Sequence, residues 1–167
     1  KAGFTISIQD IVVQSLGLLI SVSLCIMGLV SLTWVRLISV LTSVAGLIQS
    51  LLLNQPAVAV MRAVNLAYYT ATLVEDKHPI IRSTVYKLTA FTVALLASCV
   101  TQYAVLGNSF NSPATLAILG GATGLIMAIC HNFWTLKSFT LANVALWSTY
   151  YGIVGAYTSL IGNGFVL

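Results

Sequence analysis

The chain has 167 residues, a length that suits one domain, with hydrophobic residues at 59%, charged residues at 6% and mean hydropathy of +1.01. That composition excludes an ordinary water-soluble domain and points to an integral membrane protein, whose partners are the lipid bilayer and other membrane protein subunits rather than nucleic acid. No Lys, Arg, Asp or Glu occurs between Lys87 and Lys137, a run long enough to cross a hydrocarbon core of about 30 Å twice.

Spanning segments must satisfy their backbone amides internally, as helices or closed barrels. The apolar runs are continuous rather than alternating, which predicts helices. The expected fold class is all-α: one integral membrane domain over residues 1–167, a polytopic bundle of about five transmembrane spans with one interfacial amphipathic helix. Lys1 in place of an initiator Met leads us to expect an upstream segment, with any targeting information in it.

The first span is expected at residues 11–33, after Asp10, whose carboxylate suits a helix N-terminus. Trp34 and Arg36 then read as an interfacial aromatic and a snorkelling cation. A second run, 37–53, stops at Asn54-Gln55-Pro56, where proline ends the hydrogen-bond ladder. In residues 57–74, Arg62, Asn65, Tyr69 and Thr72 recur at spacings of three and four and share one helical face. This segment is short for a span and carries an arginine near its middle, so we expect a helix lying in the interface or packed on protein.

The loop Glu75-Asp76-Lys77-His78-Pro79 concentrates charge, and Arg82 and Lys87 extend its basic side. A third span is expected at 84–106, ending in the Gly107, Asn108, Asn111, Pro113 turn, a fourth at 114–134 and a fifth at 141–160. Loops on the cytoplasmic, stromal or matrix side collect Lys and Arg. Five spans put Lys1, Lys77, Arg82, Lys87 and Lys137 together with the N-terminus on the positive side and leave Arg36 alone opposite; if 57–74 crossed, the Lys77 to Lys87 loop would join Arg36.

Catalytic candidates are not visible. Asp10, Glu75 and Asp76 all fall at expected water boundaries, no pair of acids has helical spacing, and no G-x-S-x-G occurs, so we expect a non-enzyme with no metal site. Cys25, Cys99 and Cys130 fall in spans as small hydrophobes. Packing signals are richer. Gly120-x-x-x-Gly124 and Gly152-x-x-Gly155 give smooth faces that pack the protein's own bundle or an adjoining subunit, and Arg62 and Asn65 join them as candidate interface residues. Ser39, Thr42, Ser43 and Gln49 suggest an internal or intersubunit polar seam.

His131 offers an imidazole nitrogen as an axial ligand to a pigment such as chlorophyll, with Phe133, Trp134 and Phe139 as flat walls; the alternative is an interfacial histidine beside aromatic-belt residues. Other candidate cofactors are carotenoid or structural lipid. His78 reads as a solvated loop residue.

Trp34 followed by Ser39 to Ser50, the Leu95 to Val100 patch and the Ala128 to Phe133 segment, which is similar to an Ala-x-x-His-Phe pattern, together resemble the small endoplasmic-reticulum scaffold family that tethers sterol C4-demethylation enzymes in ergosterol biosynthesis. Gln102 and Thr135 stand where that family has an arginine and a glutamate. The resemblance implies a helical scaffold without catalytic residues of its own.

The expected function is a non-enzymatic accessory or scaffold subunit of a multi-subunit membrane complex, an organellar energy-transducing one such as a photosystem or respiratory complex. The expected location is a thylakoid or mitochondrial inner membrane rather than the endoplasmic reticulum. The alternatives are a pigment- or lipid-binding subunit and the sterol-enzyme tether.

Overall fold

The computed structural model describes residues 6–27 and 29–164, apart from the side chains of 128 and 129. Seven α-helices occur among them: α1 Ile8–Met27, α2 Leu32–Leu52, α3 Pro56–Thr72, α4 Thr84–Cys99, α5 Pro113–Ile129, α6 Phe133–Val154 and α7 Tyr157–Gly164. A π-helical stretch, Val100–Val105, continues α4, and a 3-10 turn, Pro79–Arg82, precedes it. No strand occurs among the described residues. By length and composition α1, α2 and the continuous Thr84–Val105 helix can each cross a membrane.

Local chemistry sets the helix ends. Ser7 and Asp10 form a reciprocal cap: the Asp10 amide donates to Ser7 Oγ at 3.0 Å and the Ser7 amide to Asp10 Oδ2 at 3.1 Å, so α1 begins a turn earlier than expected. Asn54, at φ 54°, takes the left-handed conformation that lets α2 stop, and Pro56 opens α3 where its missing N–H costs nothing. Ser83 Oγ accepts from the Tyr86 amide and caps α4. The Asn132 side chain accepts from the amides of Trp134 and Thr135, which starts α6 at Phe133.

Five further expected boundaries move. The first helix ends at Met27 and α2 begins at Leu32, so Trp34 and Arg36 belong to α2 rather than to the exit of the first span. The expected 114–134 helix stops at Ile129, and the expected 141–160 helix begins at Phe133 and ends at Val154. Gly155 closes α6 at φ 80°, a left-handed C-cap position that glycine occupies without strain. The turns at 29–31 and 130–132 contain Leu29, Val30 and Cys130, apolar enough for hydropathy to run straight through them.

Each helix packs on the next in sequence, and α7 returns to α1, so the seven form a closed ring. Side chains fasten the closure. Gln14 donates from Nε2 to the Gly155 carbonyl and accepts from the Thr158 amide, while Gln49 Nε2 donates to the Val13 carbonyl at 3.1 Å and to Ser159 Oγ at 3.0 Å. Gly17 and Gly162 let α1 and α7 meet: a Cβ on Gly17 would strike Thr158 and Ser159, and one on Gly162 would strike Ser21, including its backbone.

Of the two placements expected for the helix at 57–74, in the interface or on protein, the structure shows packing on protein. Here α3 runs back antiparallel beside α2 and also packs on α4 and α5, with Ala57, Val58, Ala59 and Met61 buried. Its far end delivers Glu75 and Asp76 to Arg36 at the start of α2. Arg36 therefore does not sit opposite the charged loop. It lies at the same end, buried to 9% relative exposure, and Arg82 pairs with the same two carboxylates. Lys77, Lys87 and Lys137 belong to that end as well, in the loop and in the first turns of α4 and α6. The first turn of α1 lies at the other end, where Gln9 donates to the Leu52 carbonyl, so the expected N-terminus on the basic side is not what the fold gives. Lys1 lies outside the described residues.

Candidate functional site

The ring is packed solid only in one half. Toward the Pro56 end, Val13, Ala57, Val58, Ala114, Tyr150 and Ala156 form a continuous buried core. Toward the basic end a cavity of about 370 Å³ opens, lined by side chains from all seven helices. Leu24, Tyr69 and Met127 line it, each within a turn of its helix's end on the basic side.

The cavity lining is mainly apolar, with a polar minority. Arg62, Asn65 and Tyr69 project from α3, Thr42 from α2, Asn143 and Tyr151 from α6, and Asn163 from α7. The amphipathic stripe predicted from the sequence is real, and its polar face points to the centre of the ring rather than to a membrane surface. Thr72, the fourth member of that stripe, is buried and donates to the Tyr69 carbonyl.

Among the described residues Arg62 is the only charged side chain in the cavity wall. It donates from Nη2 to Tyr151 Oη at 2.8 Å, and its guanidinium carbon lies 4.7 Å from the centre of the Trp147 ring. Nε is buried with no partner. Gly46 makes room for the side chain, since a Cβ there would come within 3.3 Å of Nε. Among the described residues no carboxylate lines the cavity: Asp10 is engaged with Ser7, and Glu75 and Asp76 with Arg36 and Arg82. Arg62 is partly buried and meets no opposite charge among the described lining residues, and ionisable groups inside membrane bundles mark functional sites by default.

The amides around Arg62 are held in place. Asn143 Nδ2 donates to the Gly120 carbonyl at 2.7 Å and to Thr123 Oγ1 at 2.9 Å, tying α6 to α5. Asn163 Nδ2 bonds the Val144 carbonyl and Ser148 Oγ, tying α7 to α6. Thr42 Oγ1 is buried and has no partner. Tyr69, Phe91, Trp147 and Tyr151 supply flat walls.

The other candidate residues fall elsewhere. Gly120 and Gly124 face α6 within the ring, Gly120 against Trp147 and Gly124 against Asn143, and both line the cavity. Gly152 faces open space, and Gly155 serves the turn after α6. His131 is exposed in the turn between α5 and α6, beside the exposed rings of Phe133 and Trp134, and lines none of the cavities described. No group of three or more His, Cys, Asp or Glu side chains gathers among the described residues. Sequence reasoning named Arg62 and Asn65 but not Asn143, Trp147 or Asn163, which are separated from them by more than seventy residues and join them only when the ring closes.

Fold and site together define a class: a ring of apolar helices around an off-centre, mainly apolar chamber in which the described residues place one positive charge, Arg62. No family model, no curated protein and no solved structure matches the chain.

Proposed function

We propose that the protein is a non-enzymatic, membrane-embedded binder of a small solute, of the carrier type, with the Arg62 chamber as its binding site. One observation carries this proposal. Arg62 sits in a 370 Å³ cavity built by every described helix, with an unused donor and no carboxylate among the described lining residues. The volume falls in the range of small-molecule sites, roughly 300–1,000 Å³. A chain that spends stability on an uncompensated charge gains by using it on a ligand.

In this account the helices from α1 to α6 cross the bilayer and α7 enters it partway. Exposed Ile11, Leu18, Leu41, Ile48, Leu96 and Ile153 face lipid. Arg36, Lys77, Arg82, Lys87 and Lys137 mark the cytoplasmic, stromal or matrix side, so the chamber opens there. The packed half is the closed gate, and the π-helical stretch Val100–Val105 at its edge is a place where a helix can change register.

The test is cysteine accessibility in sealed vesicles, with Cys25, Cys99 and Cys130 replaced by Ala and one cysteine placed at Asn143. A membrane-impermeant thiol reagent is expected to modify it from the Lys137 side only. Modification from the Asp10 side alone, or from neither, contradicts the proposal.

A role as an accessory subunit of a larger membrane complex has one observation in its favour, the open space beside Gly152 on α6. Co-purification of stoichiometric partners in mild detergent tests it.

A further inference from the structure

The chamber's chemistry narrows its ligand. We infer that the site takes a small aromatic monocarboxylate, a flat ring bearing one carboxylate and no ammonium group; this rests on the solute-binding function proposed above.

The charge count sets the valence. Among the described residues a single arginine lines the chamber, with no lysine, histidine or second arginine, so this wall neutralises one negative charge. A phosphate dianion would keep an unpaired charge in a low-dielectric enclosure, which is heavily penalised. The guanidinium is a planar fork that matches a carboxylate, and its one protein hydrogen-bond partner, Tyr151, leaves donors to give. A zwitterion such as an amino acid would bring an ammonium into a wall whose described residues include no acid, and the Trp147 face is already covered by Arg62.

The walls set the body. Tyr69, Phe91, Trp147 and Tyr151 line the same chamber as Arg62, so a planar ring finds offset or edge contacts on several sides. Thr42 Oγ1, buried and unpartnered, is left to meet a ring substituent or a second carboxylate oxygen. The remaining wall groups, Asn65, Asn143 and Asn163, are neutral and favour a polar but not a doubly charged solute.

The test is equilibrium binding to the full chain in nanodiscs, with benzoate as the probe and benzamide, phenylphosphonate at a pH where it is a dianion, L-phenylalanine and laurate as comparisons. Benzoate is expected to bind at least about tenfold more tightly than each of the others, the margin expected for a charge-assisted hydrogen bond. Arg62→Gln is expected to abolish the preference for benzoate over benzamide, and Arg62→Lys, which keeps the charge but not the fork, to weaken benzoate by roughly tenfold. Thermal unfolding of each variant verifies that it folds. Benzamide equal to benzoate in the unmodified chain, or phenylphosphonate or L-phenylalanine ahead of it, overturns the monocarboxylate assignment. Laurate ahead of benzoate assigns the site to a fatty acid from the bilayer and overturns the aromatic one. Failure of all five probes while Asn143→Cys remains modifiable from the basic side sinks this ligand class and leaves the chamber standing; failure of both removes the chamber too.

Discussion

The guanidinium of Arg62 lies over the ring of Trp147, 4.7 Å from its centre, joining α3 to α6 across the middle of the helix ring. The contact stabilises the cation by about 0.5–2 kcal/mol, and the hydrogen bond to Tyr151 adds to it. Neither supplies an opposite charge. Arg62 is only partly buried, so these two contacts offset much of what its desolvation costs.

Arg62→Met is expected to leave the stability of the ligand-free chain unchanged or to raise it by up to about 1 kcal/mol, while removing anion binding. The midpoint of thermal unfolding in detergent measures the first and equilibrium binding the second. A clear fall in the midpoint would make Arg62 a structural residue.

The ion cluster at the basic end behaves in the opposite way. Arg36 is buried and engages both Glu75 and Asp76, and Glu75 is itself largely enclosed, at 15% side-chain exposure against 67% for Asp76. Arg36→Met leaves the Glu75 carboxylate without its inner partner, so it is expected to lower the unfolding midpoint more than Asp76→Asn does. Equal effects would mean that the cluster acts only as surface charge.

Acid should release part of this cluster. The Arg36 hydrogen bond and charge, helped by Arg82, hold the Asp76 carboxyl below its ordinary value. A carboxyl depressed in the folded state contributes stability above the ordinary carboxylate range, near pH 4, and loses it as pH falls through the lowered value. The unfolding midpoint is thus expected to lose Asp76's contribution only below about pH 4, and Asp76→Asn to remove that component of the acid-side fall. A component lost between pH 5 and 7 would not be Asp76.

Gly162 and Gly152 separate packing from propensity. A Cβ at Gly162 meets the Ser21 backbone, so Gly162→Val is expected to destabilise by about 1–3 kcal/mol as α1 and α7 are forced apart. Nothing lies near a Cβ at Gly152, so Gly152→Ala is expected to be neutral or to stabilise by up to about 1 kcal/mol. Thermal unfolding of the two variants, compared side by side, measures the difference.

Composition made the helical, apolar character of the chain legible, and Asn54-Gln55-Pro56 and the Gly107 to Pro113 turn marked their breaks. The breaks at 29–31 and 130–132 were missed although Ser31 and Asn132 stand at the starts of α2 and α6, because the apolar Leu29, Val30 and Cys130 beside them let hydropathy run through. The Arg62, Asn65, Tyr69 and Thr72 stripe was legible as a pattern, but periodicity says only that one face is polar. Whether that face meets water or a chamber depends on what packs against it, and Asn143, Trp147 and Asn163 come from the far half of the chain. Arg36 was misplaced for the same reason: its acids, Glu75 and Asp76, reach it only because α3 runs back along α2.

The most direct measurement is a crystal structure of the chain soaked with 4-bromobenzoate, with the bromine located by its anomalous signal. The expected result is a peak inside the ring among Tyr69, Phe91 and Trp147, with the carboxylate on the Arg62 guanidinium. A chamber filled by protein side chains, or Arg62 paired with an acidic residue of this chain or of a second copy, would contradict the account.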